Sequence, residues 1–196
     1  MRDKYISLVI TICTCCVLTA CQTTLNRQEF PTMTFQYLPS VRLMVSNIKL
    51  ISEVKLRVDA PNVAHRIPIA PEQAMIQWAK DRLSIAGNKN IAQLIIIQAD
   101  AKEIKLDLDK SLTGIFKNQQ SHRFESIIKA RLEILDENGL RKAFVTGKAE
   151  KSITVSEATP MSDRRKIWYN LIEKLMIDFN LVMQKNIKQK LQNYLF

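Results

Sequence analysis

Residues 124–155, FESIIKARLEILDENGLRKAFVTGKAEKSITV, contain the pattern that decides the fold. Apolar or small residues occupy every second position of 124–134, and charged residues occupy most positions between them. This alternation predicts a strand with one face buried and the other in water. Asn138-Gly139, a pair typical of a tight hairpin turn, follows it, and residues 143–155 return as the partner strand. The segment therefore predicts a long antiparallel hairpin.

Two stretches upstream of this hairpin also predict strands. Apolar residues alternate from Val41 to Val58, and the phase slips near Asn47 and Ser52, which indicates a bulge or a break between two strands. The uncharged run 94–97 is typical of a strand covered on both faces, and alternation continues beyond it.

Two segments show helical spacing. Pro71 suits the first turn of a helix, and apolar residues then recur every three or four positions up to Gly87, which we expect at the C′ position. A longer helix is predicted from Asp163 to about Tyr194. Because roughly 30 helical residues span about 45 Å, its C-terminal end is expected to overhang a small sheet or to pack on another segment.

The predicted order is strand, helix, three strands, helix. Both helical stripes are buried most economically on one face of a sheet. We therefore predict an α+β fold, a four-stranded mainly antiparallel sheet with two helices packed on one face. The chain of 196 residues, 46% hydrophobic and 24% charged, suits one such domain. This composition excludes a mainly disordered chain, and a single long uncharged stretch, at the N-terminus, excludes a polytopic membrane protein.

The N-terminal residues have the pattern of a secretory signal. Arg2 and Lys4 precede the uncharged stretch 5–17, which is too short to span a bilayer comfortably but typical of a signal-peptide core. Leu18-Thr19-Ala20-Cys21 follows. This motif resembles the lipobox of bacterial lipoproteins, a Leu and two small or polar residues before a Cys. The alternative, an uncleaved anchor helix, would need a longer apolar run.

The lipobox resemblance implies that the signal is cut before Cys21 and that Cys21 carries the lipid anchor. It divides the chain into a signal peptide (1–20), a lipidated tether (21–40) and a single periplasmic domain (41–196). Gln22, where an Asp commonly causes retention at the inner membrane, implies the periplasmic face of the outer membrane, with the inner membrane as the alternative. Since every other Cys lies in the signal, we expect no disulfide and no thiolate metal site.

Catalytic and metal-binding patterns are scarce. The only histidines, His65 and His122, do not lie at metal-ligand spacing from another His or an acidic residue. No GxSxG, P-loop or dinucleotide motif occurs. Trp78 and Trp168 lie on the helical stripes and are expected in the core. We therefore expect no catalytic residue, no metal and no cofactor apart from the covalent lipid on Cys21.

Two segments are candidates for contact with a partner or a membrane. Apolar residues crowd the connection 110–121, and an exposed apolar loop tip usually marks a contact; folding back over the sheet is the alternative. The Pro-punctuated segment 61–68 carries two side chains that can be cationic, with a structural crossover into the first helix as the alternative. The candidate residues are Leu112, Ile115, Phe116, Lys117, His65 and Arg66.

These features predict a non-enzymatic lipoprotein, an accessory or docking component in outer-membrane assembly or lipid transport. The element order resembles auxiliary lipoproteins of lipopolysaccharide assembly and of lipid-transport ABC systems; the likeness rests on that order alone and assigns no binding residue. The alternative is a lipid carrier with an apolar cavity between sheet and helices. The net charge of +10 suits anionic lipid or an acidic protein partner. Expected partners are the membrane and an envelope protein, not nucleic acid.

Overall fold

The computed structural model describes residues 29–107 and 120–196. Within these residues, six strands and two long helices form one α+β fold, which confirms the predicted fold class. In chain order the elements are β1 (Val41–Leu43), β2 (Asn47–Ser52), α1 (Pro71–Arg82), β3 (Leu83–Ile85), β4 (Ile91–Lys105), β5 (Gln120–Leu135), β6 (Arg141–Ser156), α2 (Met161–Lys190) and a 3-10 turn (Gln192–Tyr194).

The main sheet has four strands in the order β2-β4-β5-β6. The pairs β4-β5 and β5-β6 are antiparallel, as predicted, whereas β2 and β4 are parallel, so the sheet is mixed. The parallel pair arises because α1 lies between β2 and β4 in the chain, and a helical crossover returns the chain in the same direction. A second, two-stranded parallel sheet pairs β1 with β3 and was not predicted.

Both helices pack on one face of the main sheet. The residues of β5 predicted to face the core are completely buried: Phe124, Ser126, Ile128, Ala130, Leu132 and Ile134. Trp168 of α2 stacks on Phe124 with 4.6 Å between ring centroids, and Trp78 of α1 meets Phe179 edge-on at 5.2 Å. The prediction that both tryptophans belong to the core is confirmed.

The first helix is shorter than predicted. It ends at Arg82, and Leu83–Ile85 leaves the helix to pair with β1. Gly87 is therefore not a C′ residue. A Cβ at this position would lie 2.6 Å from the carbonyl carbon of Met44, so glycine is required by the close approach of two backbone segments.

Replacement of Gly87 with Ala is expected to lower the free energy of unfolding by about 1–3 kcal/mol, because main-chain atoms of Met44 must move to make room. Urea denaturation measures the change. Asn88→Ala, at the exposed neighbouring position, serves as the control and should stay within about 0.5 kcal/mol of the parent. Equal stability of the two variants would show that the close approach is not limiting.

The second helix ends at Lys190, four residues before the predicted end, and the chain after it packs on β1. The Met44 N–H donates to the Tyr194 carbonyl oxygen at 2.8 Å, and the Phe196 N–H donates to the Arg42 carbonyl oxygen at 3.0 Å. The residues after α2 therefore pack on the segment around β1. Of the two expected arrangements, overhang of the sheet or packing on another segment, the structure shows the second.

Residues 29–40, which belong to the predicted tether 21–40, contact the two helices. Met33 and Phe35 are buried in the core. The Asp81 carboxylate of α1 accepts hydrogen bonds from the Phe35 N–H at 2.8 Å and from the Thr34 hydroxyl at 3.1 Å. Burial raises the pKa of Asp81, but these hydrogen bonds and that from Gln77 outweigh it, and the net pKa lies below its usual value. The ionised carboxylate thus fastens this segment to α1.

Candidate functional site

The sequence-predicted contact residues fall into two groups. Leu112, Ile115, Phe116, Lys117 and the lipidation residue Cys21 lie outside the described residues. His65 and Arg66 are exposed on the segment that leads into α1. His65 lines a cleft, whereas Arg66 lies next to it in the chain without lining the cleft.

This cleft, about 450 Å³ in volume, lies along the outer edge of β4. One wall is residues 54–57, which follow β2, and the opposite wall is the segment around His65. The start of α1 and residues 99–101 of β4 complete it. Its polar and charged lining residues are Lys55, Arg57, Asn62, His65, Glu72, Gln73 and Asp100.

The edge of β4 is open inside the cleft. Pairing with β2 ends where the Glu53 N–H donates to the Ile96 carbonyl oxygen at 2.9 Å. Pairing resumes on the same edge where the Val63 N–H donates to the Ala101 carbonyl oxygen at 2.9 Å. Among residues 29–107 and 120–196, no strand lies against residues 97–100 on this edge. An open edge of this kind accepts an added extended chain.

The opening exists because the chain leaves the sheet after β2. The alternating residues Val54, Leu56 and Val58 predict a strand, but the structure shows none there. Leu56 is 74% exposed and Val58 is 64% exposed. The expectation of a strand beyond Ser52 is therefore wrong, and the segment forms a wall of the cleft instead.

Two cationic side chains, Lys55 and Arg57, and two carboxylates, Glu72 and Asp100, line the cleft. The carboxylates accept hydrogen bonds from neutral groups: Glu72 from the Ser52 hydroxyl at 2.5 Å, and Asp100 from the Gln98 side-chain amide at 2.6 Å. In the described part of the chain, Lys55 and Arg57 form no ion pair. Chemically, the open edge can pair with the backbone of an extended segment, and Lys55 and Arg57 can attract acidic side chains of that segment.

A second polar cluster lies near the C-terminal end of β4, two residues beyond the cleft. The Ser121 hydroxyl lies 2.8 Å from His122 Nδ1, and Glu103 lies 3.9 Å from His122 Nε2. The order hydroxyl, imidazole, carboxylate is that of a nucleophile triad. However, Ser121 is only 1% exposed, and Arg164 binds Glu103 at 2.8 Å. This geometry ties β4, β5 and α2 together and offers a substrate no access to the hydroxyl.

Neither a metal cluster nor a membrane-spanning helix is found in the described ranges. No three His, Cys, Asp or Glu side chains of residues 29–107 and 120–196 are grouped to hold a metal ion. In the same ranges no helix combines the length and the apolar character needed to cross a bilayer.

No protein-family model matches the chain, and no curated protein does. Among solved structures, a minor lipoprotein from Acinetobacter baumannii has a similar backbone arrangement, with 12% sequence identity and a TM-score of 0.38. The alignment covers 76% of this chain and 96% of that chain. Another is the uncharacterized lipoprotein B from Nitrosomonas europaea, 11% identical, covering 80% of this chain and 93% of that chain, with a TM-score of 0.41. At these TM-scores the likeness carries no argument about function.

Proposed function

We propose that this chain is a lipid-anchored lipoprotein of the bacterial cell envelope that docks a partner protein and catalyses no reaction. The observation that carries the docking role is the open edge of β4 inside a cleft that has Lys55 and Arg57 on one wall. The anchor rests on the lipobox that ends at Cys21. Neither argument depends on the other, so each is tested separately.

The occupant we propose for the cleft is an extended, acidic segment of a larger envelope protein. A strand edge with two flanking pairings holds a short extended segment through main-chain hydrogen bonds, and the side-chain walls supply selectivity. Lys55 and Arg57 on one wall favour carboxylates on the part of that segment that faces them. The partner would belong to the machinery of outer-membrane assembly or lipid transport, at the periplasmic face of the outer membrane.

A docking role explains the interior better than the alternative role of lipid carrier. A carrier needs an apolar cavity large enough for an acyl chain between sheet and helices. That space is instead filled by side chains with no exposure to solvent: Leu94, Ile128, Leu132, Leu175, Phe179 and Met183. The cleft at the β4 edge lies beside this core, and charged side chains line much of it.

Site-specific photo-crosslinking in cells tests the docking site. A photo-crosslinking amino acid replaces Leu56, which is exposed on the wall of the cleft, and in a matched strain it replaces Leu181, which is exposed on α2. We expect one envelope protein to be captured from Leu56 and not from Leu181. Mass spectrometry of the adduct should place the crosslink in an acidic segment of that protein.

Charge reversal gives the second arm of this test. Lys55→Glu with Arg57→Glu should reduce the Leu56 adduct at least about tenfold, since two attractive charges become repulsive. The matched control, Lys166→Glu with Lys174→Glu on α2, makes the same change of net charge away from the cleft and should preserve the adduct. The same adduct from Leu56 and Leu181, or insensitivity to reversal at the cleft, contradicts the docking site.

A further inference from the structure

A small pocket, separate from the cleft, lies where α1 ends. It has a volume of about 260 Å³ and lies between β1, the last residue of α1, the C-terminal half of α2 and the final residues of the chain. Three of its lining side chains are cationic, Arg42, Arg82 and Lys188, and none of the described residues that line it is an Asp or Glu. The pocket therefore gathers positive charge from three elements that are distant in sequence.

Arg82 is the unusual member of this group because it is 2% exposed. Its Nε–H donates to Asn180 Oδ1 at 3.0 Å, and the Trp78 indole N–H donates to the same oxygen at 3.0 Å. Arg82 Nη1 is buried and has no hydrogen-bond partner in the described residues. A buried guanidinium that meets only a neutral amide keeps its charge and leaves part of its donor capacity unused.

Among residues 29–107 and 120–196, no Asp or Glu side chain pairs with Arg82, and none forms an ion pair with Arg42 or Lys188. Burial lowers the pKa of the Arg82 guanidinium from its usual value, as expected for a charge removed from water. The Arg42 guanidinium lies 3.8 Å from the centre of the Phe196 ring, and this cation–π contact holds the Arg42 side chain in place.

We propose that this pocket binds a phosphate monoester, with Arg82 as the buried contact and Arg42 and Lys188 as the outer charges. Three cations match the double negative charge of a phosphate monoester better than the single charge of a carboxylate. Arg82 lines the pocket, and its unused donor Nη1 is the group that a bound phosphate would engage. Ser40 and Gln184, which also line the pocket, can contribute neutral hydrogen bonds. The phosphate can come from a soluble metabolite or from a lipid headgroup.

The two tryptophans make this binding measurable. The Trp78 indole N–H and Arg82 donate to the same oxygen, Asn180 Oδ1. A ligand that binds Arg82 should therefore shift the Trp78 indole N–H resonance. Trp168, which stacks on Phe124, serves as the internal control. The full chain, purified in non-ionic detergent with nitrogen-15 tryptophan, is titrated with glycerol 3-phosphate, with phosphatidic acid in the micelle, with phosphatidylcholine and with acetate.

We expect glycerol 3-phosphate or phosphatidic acid to shift Trp78 saturably while Trp168 stays unchanged. Binding of both identifies a site for phosphate monoesters in general, and binding of phosphatidic acid alone identifies the lipid headgroup as the source. Absence of a Trp78 shift with both overturns the proposal. Acetate or phosphatidylcholine binding as tightly as these probes overturns it too, since neither carries a doubly charged phosphate.

Variants separate a binding role of Arg82 from a structural one. Asn180→Asp keeps the shared acceptor but adds an internal counter-ion for Arg82, and it should weaken phosphate binding at least about tenfold. Lys188→Gln, at an exposed position, should weaken binding several-fold without disturbing the fold, whereas Lys190→Gln at the end of the same helix should not. Unchanged affinity in both Asn180→Asp and Lys188→Gln overturns the proposal. The result is independent of lipidation and of the β4 cleft.

Discussion

Replacing Cys21 with Ser is expected to remove the protein from the membrane fraction almost completely and to abolish incorporation of radioactive palmitate. The reason is the number of methylenes that the anchor buries. Each contributes about 0.8 kcal/mol, so two or three acyl chains hold a protein far more firmly than any peripheral contact. Membrane fractionation with palmitate labelling of the parent and the variant measures both effects.

The control for this experiment is Cys16→Ser, a change of the same chemistry inside the predicted signal. It should leave labelling and membrane association as in the parent. An uncleaved anchor helix would instead keep both variants in the membrane fraction and leave both unlabelled. That outcome would contradict lipidation at Cys21 while leaving the docking cleft and the phosphate pocket untouched.

Phe179→Ala is expected to destabilise the domain by about 3–5 kcal/mol, a large share of the stability of an ordinary domain. Phe179 is completely buried, and its ring meets Trp78 edge-on. It also lies close to Gly147 of β6, where an added Cβ would be 3.1 Å from the Phe179 ring. The ring lies between the backbone of α2 and the backbone of β6. Because neither backbone can move into the space, removal of the ring leaves a cavity.

Thermal and urea denaturation measure this loss, and the melting temperature should fall by roughly 6–20 °C. Leu181→Ala is the matched control because it removes an apolar side chain from the same helix at a position that is 60% exposed. Its effect should stay within about 0.5 kcal/mol. A similar loss in the two variants would mean that Phe179 contributes through helix propensity alone, which would contradict its place in the core.

Local periodicity was enough to predict the main sheet and its helices. The alternation of 124–134 and the Asn138-Gly139 turn lie within one hairpin, and the structure shows both, with Gly139 at a φ of 81°. The end of α1 was not predictable in the same way. Residues 83–85 continue the helical spacing, but pairing with β1, some 40 residues earlier, pulls them into a strand. Tertiary pairing overrides local preference there.

In the candidate sites too, single residues could be predicted from the local sequence, whereas the residues that meet them in space could not. The sequence predicts His65 as a loop residue whose side chain can be cationic, but the residues across the cleft from it, Lys55 and Arg57, lie in a stretch whose alternation predicts a strand. Arg82 offered a signal that is visible in the sequence, a charged residue within the apolar stripe of a helix. What the sequence did not show is that Arg42 and Lys188 meet it, since β1 and α2 come together only in the folded chain.

The fastening of residues 29–35 to the helices limits how far the domain can travel from a lipid attached at Cys21. Residues 22–28 are then the linker between Cys21 and the segment that contacts the helices, and a fully extended linker of this length reaches about 25 Å. Adding the roughly 54 Å length of the 16-residue strands β5 and β6, the far end of these strands lies within about 80 Å of Cys21. If a lipid on Cys21 holds the chain at a membrane, a protein that docks at the β4 edge must present its binding segment within about that distance of the bilayer surface.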